Sequence, residues 1–185
     1  YPCHKGEDIS KYCEKLGVAR LSDLVYINEE AWRTKEETRS EALYIWQQIK
    51  ECIYKGVNKE GVLPGGLNVT RRAADFNRKL LGEDVIYKNI NEWFAAVKNS
   101  PKDFNQITRW ISCFALAVNE ENASFGRIIT APTNGASGVI PAVLMYSQTF
   151  TEFNTEEDII RFILVAGEIG TLFKKNATIS AAMGG

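Results

Sequence analysis

"TKEETRSEALYIWQQIKECIYKG", residues 34–56, decides the fold class. Thr34 followed three residues later by Glu37 forms a capping box, in which each side chain accepts a hydrogen bond from the other residue's backbone N–H. Ala42, Ile45, Trp46, Ile49, Cys52 and Ile53 then recur at steps of three and four. That spacing lines up on one stripe of a helix, whereas a strand would scatter the same residues over both faces. The segment therefore reads as an amphipathic helix that stops near Gly56.

Working outward, the same logic finds helices almost everywhere. Ser100, Pro101 and Asp103 mark a second start, with Pro101 expected at the first helical position, where a missing N–H costs nothing. Phe104, Ile107, Trp110, Ile111, Phe114 and Val118 supply its apolar face. Thr155 with Asp158 opens a third helix, filled by Ile159, Ile160, Ile163 and Leu164. Shorter helices are predicted in "EDISKYCEKLG" (7–17), "TRRAADFNRKLLG" (70–82) and "NEWFAAVKN" (91–99). Only "GRIITAP" (126–132) reads as a strand, and one strand makes no sheet. The expected fold is all-α: a single helical domain over residues 1–185, with glycine-rich loops, little or no sheet, no repeats and no internal linker.

With 185 residues, 45% of them hydrophobic and 24% charged, the chain can bury a core, and its composition is ordinary for a globular protein. The net charge of −1 comes without any block of like charge, so neither nucleic acid nor an anionic membrane surface is an expected partner. "IIRFILVAG" (159–167) is far shorter than the ~20 apolar residues of a membrane span and carries Arg161. Cys3, Cys13, Cys52 and Cys113 are dispersed, with no CxxC pair and no leader ahead of Tyr1, so a reduced cytoplasmic compartment is expected. Cys52 and Cys113 fall on apolar stripes and read as core. The single histidine, His4, reads as a surface residue, and no metal site is expected within the chain. The opening at Tyr1 and the stop after "SAAMGG" lead us to expect a fragment.

Three irregular segments stand out between the helices. In "EGVLPGGLNVTRRA" (60–73), Pro64, Gly65 and Gly66 force a turn that lets a ligand approach bare backbone, and Thr70 is expected to cap the helix entered by Arg71 and Arg72. In "VNEENASFGRIITAPTNGASGVIP" (118–141), Asn119, Glu120, Glu121 and Asn122 leave a long helix just before a knot of small polar residues. If a helix begins within "TNGASG", its unpaired N–H groups and the side chains of Thr133, Asn134 and Ser137 make a cradle for a carboxylate. Pro141 then restarts or kinks the helix. In "LFKKNATISAAMGG" (172–185), Lys174, Asn176, Thr178 and Ser180 follow an apolar helix. No nucleophile elbow, P-loop, HExxH or dinucleotide-binding glycine pattern is present.

Taken in order, "EGVLPGGL", "VNEENA", "GRIITAPTNGASGVIPAVL" and "KKNATISAAMGG" resemble the catalytic domain of the bacterial iron-sulfur-dependent L-serine dehydratases, or L-serine ammonia-lyases. The resemblance runs through essentially the whole chain. It implies elimination chemistry: L-serine loses its α-proton and hydroxyl, and the resulting aminoacrylate hydrolyses to pyruvate and ammonia. It implies a [4Fe-4S] cluster in the full-length protein acting as a Lewis acid on the hydroxyl, and a homodimer. It also implies an α/β domain before this chain and further sequence after it. The family usually reads "NASISGAEVGCQGE" where this chain has "NATISAAMGG", so Met183 stands in place of an acidic residue and the cluster cysteines are expected beyond residue 185. The substrate-binding residues implied are Thr133, Asn134, Gly135 and Ser137, backed by Gly65 and Gly66, with Lys174 and Ser180 on the site wall. No catalytic base is assigned within the chain. Two alternatives remain open at this level: a pyridoxal-phosphate serine dehydratase, which the helical reading argues against, and a non-catalytic helical binding or assembly module.

Overall fold

The computed structural model describes residues 1–130 and 133–177. Among them are eight helices: α1 (Gly6–Leu16), α2 (Leu21–Glu29), α3 (Lys35–Val57), α4 (Ala73–Leu81), α5 (Ile90–Lys98), α6 (Phe104–Ala123), α7 (Val139–Phe150) and α8 (Glu156–Asn176). The only β pairing among the described residues is an isolated antiparallel bridge between Val62 and Thr70. The all-α expectation holds. The chain divides into two compact units, one made of the described residues in Tyr1–Trp46, Ala131–Thr133 and Glu156–Gly185, the other of those in Gln47–Thr130 and Asn134–Thr155.

In the first unit α2 packs against α8 and α1 against α2. Leu24, Val25 and Tyr26 of α2, Ile159 and Ile160 of α8 and Ala42 and Trp46 of α3 are buried. Arg161 Nη1 of α8 donates to Asp23 Oδ1 (2.7 Å) and Ser22 Oγ (2.9 Å) at the start of α2. Helix α2 was not expected from sequence. Its apolar residues form the run Leu24–Ile27 rather than a stripe, and its N-cap, Arg20, offers no side-chain cap. The α3 capping box is present, with Thr34 N donating to Glu37 Oε2 at 2.7 Å and Glu37 N to Thr34 Oγ1 at 3.2 Å.

The second unit is organised around α6, which packs against α4 and α7. Trp110, Cys113, Phe114 and Ala117 on its inner face are wholly buried. Trp110 stacks on Phe114 with ring centroids 5.4 Å apart, and Trp93 of α5 meets Phe114 edge-on at 6.4 Å. Where α3 crosses α6, a Cβ on Gly56 would lie 2.5 Å from the Ala117 carbonyl oxygen, so only glycine permits that approach. The buried Trp93 N–H donates to Asn77, whose amide donates to the Tyr87 hydroxyl, which donates in turn to Asn58.

Three sequence expectations are corrected. Pro101 lies outside α6; Asp103 is the N-cap, its carboxylate accepting from Gln106 N at 3.1 Å, and the helix starts at Phe104. Thr70 does not cap α4, since it sits in the bridge to Val62 and the N-cap is Arg72. The described residues of "GRIITAP", 126–130, form no strand; Ala131 and Pro132 lie outside the described residues.

Candidate functional site

The last turns of α6 carry Asn119, Glu120, Glu121 and Asn122, with Ser124 as the C-cap, and Glu120, Glu121 and Asn122 each hold a neighbouring segment of the second unit. Glu120, 3% exposed, accepts from Arg72 N (2.7 Å) and Ala73 N (3.3 Å). It thereby supplies from α6 the N-terminal cap that α4 does not supply for itself. Glu121 accepts from Arg71 Nη2 at 2.5 Å, and the same nitrogen lies 3.1 Å from Glu120 O and 2.8 Å from Ser124 Oγ. Desolvating a guanidinium is costly, and this paired carboxylate with its two flanking oxygens is what makes a buried Arg71 tolerable. Arg71 Nη1 has no hydrogen-bond partner among the described residues.

Helix α6 closes with the Gly126 N–H donating to Glu121 O at 2.8 Å and the Phe125 N–H to Asn122 O at 3.1 Å. This double closure places residue 125 in the left-handed region, where glycine is usual. Here it is Phe125, at φ 59° and almost fully exposed.

Arg71 also holds the base of the "EGVLPGGLNVT" loop, its N–H donating to Gly61 O at 2.9 Å, while Leu63 N donates to Val69 O at 2.8 Å. The loop is thus a hairpin whose tip carries Gly65 and Gly66 in solvent; Gly65 has φ 123°, which requires glycine.

The "TNGASG" segment becomes a 3-10 turn, Asn134–Ala136, and not the start of an α-helix. The Ser137 N–H donates to Asn134 O (3.1 Å), and Asn122 Nδ2 donates to the same oxygen (3.2 Å). Gly138 then presses on α6: a Cβ there would lie 2.6 Å from Ala115 O and 3.1 Å from Asn119 Oδ1. Helix α7 follows from Val139, with Pro141 in its first turn, where no N–H is needed.

The structure gathers Asn134, Gly135 and Ser137 on one turn. Asn134 and Gly135 are exposed, whereas Ser137 is 3% exposed and its Oγ has no hydrogen-bond partner among the described residues. Thr133 is half-buried just before the turn. Gly65 and Gly66 lie on the hairpin, tied to the same end of α6 through Arg71. Lys174 is exposed in the last turn of α8, in the first unit. Ser180 lies outside the described residues. A cavity of about 620 Å³ in the first unit, lined by Val25, Asn28, Trp32, Glu168 and Lys175 among others, includes none of the sequence-predicted residues.

Sequence reasoning grouped the carboxylates of α6 but missed their partner, Arg71. The signal is the helical period itself: the buried stripe Trp110, Phe114, Ala117 continues onto Glu121, and a carboxylate on a buried stripe needs a cation.

No group of three or more His, Cys, Asp or Glu side chains among the described residues converges as metal ligands. Burial pushes the Cys113 thiol up to about 12 and the Cys52 thiol up to about 11, with Glu120 and Glu121 respectively adding to the shift. Such thiols are poor sources of the thiolates that bind iron. The described residues therefore do not fit an iron-sulfur cluster.

The described residues thus form an all-helical protein in which buried charges at one helix end brace two glycine-rich loops. Comparison narrows the class. The sequence matches the serine dehydratase alpha chain family over residues 17–185. The L-serine dehydratase of Streptomyces coelicolor is 43% identical over 182 residues, covering 98% of this chain and 36% of that protein. L-serine dehydratase 2 of Escherichia coli is 43% identical with 98% and 37% coverage, and the L-serine dehydratase of Helicobacter pylori is 33% identical with 100% and 37% coverage. The chain belongs to the serine dehydratase alpha chain family. It spans a little over one third of the length of these relatives.

Proposed function

We propose that this chain is the substrate-holding helical part of a longer L-serine ammonia-lyase, a cytoplasmic, homodimeric lyase that converts L-serine to pyruvate and ammonia. Family membership supports the reaction class, and one observation carries the assignment to this chain: a turn at Asn134–Ala136 that presents an amide side chain and an exposed glycine next to Ser137, a buried hydroxyl without a partner among the described residues.

In this reading the Asn134 carboxamide and backbone N–H groups of the turn hold the substrate carboxylate. Gly135, having no side chain, lets the substrate reach the backbone. Ser137 and Thr133 add hydroxyl donors, and Gly65 and Gly66 stand on the hairpin tied to the same helix end. Fixing the carboxylate orients the Cα–H and the hydroxyl for elimination, which is a positional contribution to rate. The [4Fe-4S] cluster implied by the family resemblance finds no donor set in the described residues, and no step is derived through it. Its ligands, like the base that removes the α-proton, are proposed to lie elsewhere in the longer protein.

The test follows pyruvate and ammonia released from L-serine by the full-length protein under anaerobic conditions, with the 185-residue chain assayed in parallel. Equimolar release by the full-length protein and none by the chain is the expected result. Failure of the full-length protein to release pyruvate overturns the proposal.

A further inference from the structure

The end of α6 does more than close a helix. Asn122 reaches outward to the Asn134 carbonyl at 3.2 Å, while the residue before it, Glu121, holds Arg71 at the base of the Gly65–Gly66 hairpin. One turn earlier, Asn119 Oδ1 lies where a side chain on Gly138 would collide. Two adjacent residues of one helix therefore fix two loops that are far apart in sequence. The helix beneath them is rigid, since Phe114, Ala117 and Val118 are buried and the Gly126 N–H closes onto Glu121 O.

We infer that Asn122 is a positioning residue for the substrate turn: its carboxamide clamps the Asn134 carbonyl to the helix end that also anchors the hairpin, setting the separation of the two loops. This rests on the reading of Asn134–Ala136 as the carboxylate-binding turn. Asn122 donates to a backbone oxygen of the turn and acts on substrate only through it. The Asn134 carbonyl accepts from both Asn122 and Ser137 N, so both of its lone pairs are engaged. Losing the side-chain donor removes one of the two hydrogen bonds to the Asn134 carbonyl and leaves the other as a 3-10 bond, whose geometry is weak.

The discriminating variant is Asn122→Asp, which keeps the shape but replaces the donor by an acceptor facing a carbonyl. Asn122→Ala removes the group altogether. Asn122 is half-exposed, so both variants should fold with a melting temperature close to that of the parent. Two readouts are taken: amide exchange at Ser137, measured on the 185-residue chain, and steady-state kinetics of the full-length protein with L-serine. Both variants should speed Ser137 exchange, Asp more than Ala, and raise KM about three- to tenfold with kcat within about twofold of the parent.

Unchanged Ser137 exchange shows that there is no clamp and overturns the inference, leaving the proposed reaction standing. Faster exchange with an unaltered KM shows that the turn does not bind substrate, which overturns both the positioning role and the site assignment. A fall in kcat and melting temperature together, with KM unaffected, marks a structural role and likewise overturns the inference.

Discussion

At the scale of single residues, the site reading stands or falls on Asn134. A charge-assisted hydrogen bond from its carboxamide to the serine carboxylate is worth roughly 1.5–3 kcal/mol, so Asn134→Ala should lower kcat/KM of the full-length protein by about one to two powers of ten. Asn134→Asp should be worse, because it sets a negative charge against the carboxylate. The side chain is exposed and the turn is held through the Asn134 backbone oxygen, so neither variant should move the melting temperature. Loss of melting temperature in step with activity would instead mean that the residue only shapes the turn. Sequence could single out Asn134 and Ser137 because small polar residues between two apolar runs are anomalous. It could not show that Ser137 is buried while Asn134 is open, since that depends on where Gly138 meets α6. Arg71 was invisible for a related reason: an arginine at a helix entrance is ordinarily solvated, and only a carboxylate fifty residues away makes its burial tolerable.

At the scale of elements, a helix is readable from its apolar period, but its cap is readable only where the capping side chain is local. Thr34 with Glu37 is a local hydrogen-bonded box, legible from spacing alone, whereas at α6 the sequence marked the start but placed it at Pro101 instead of after the Asp103 cap. Helix α4 is capped instead by Glu120 from α6, so sequence reasoning assigned the role to Thr70, the nearest eligible side chain. This predicts that Glu120→Ala destabilises the chain even though it lies in another helix. Two backbone donors, the buried Ala73 N–H and the partly buried Arg72 N–H, lose their acceptor, at a cost of about 1–3 kcal/mol, which lowers the melting temperature by roughly 2–4 °C per kcal/mol in a chain of this size. Thr70→Ala should change it little. The cap of α3 gives a pH signature. Backbone and side-chain hydrogen bonds from Thr34 hold the Glu37 carboxyl below its ordinary value. A depressed folded-state value means that the stabilisation is fully present above the ordinary Glu range and is lost as pH falls through the lowered value. Carboxyl NMR shifts should therefore show Glu37 titrating at lower pH than an exposed glutamate, with the first turn of α3 fraying as it does. Thr34→Ala should return Glu37 toward the ordinary range; an unchanged titration would mean that the box contributes nothing.

At the scale of the whole molecule, the question is what a serine dehydratase alpha chain of this length can assemble by itself. The cysteines are shared out between the two units: Cys3 and Cys13 in the first, Cys52 and Cys113 in the second. Cys52 and Cys113 are buried in the apolar faces of α3 and α6, and burial, which disfavours the thiolate, pushes their thiols up to about 11 and about 12. Cluster assembly needs thiolates converging on iron, and deprotonating a sulfur packed between helices would cost the core that holds α6, the frame of both loops. The prediction is that anaerobic treatment of the purified 185-residue chain with ferrous iron and sulfide, followed by desalting, leaves it colourless with its melting temperature unchanged. The same two thiols should resist an aromatic disulfide reagent until the chain is unfolded, which gives an independent check on their burial. A stoichiometric iron-sulfur spectrum that disappears in Cys52→Ser or Cys113→Ser would show that these cysteines are ligands and that the apolar-stripe reading of α3 and α6 is wrong. A spectrum that survives both substitutions would point to Cys3 and Cys13, in the first unit, as the ligands.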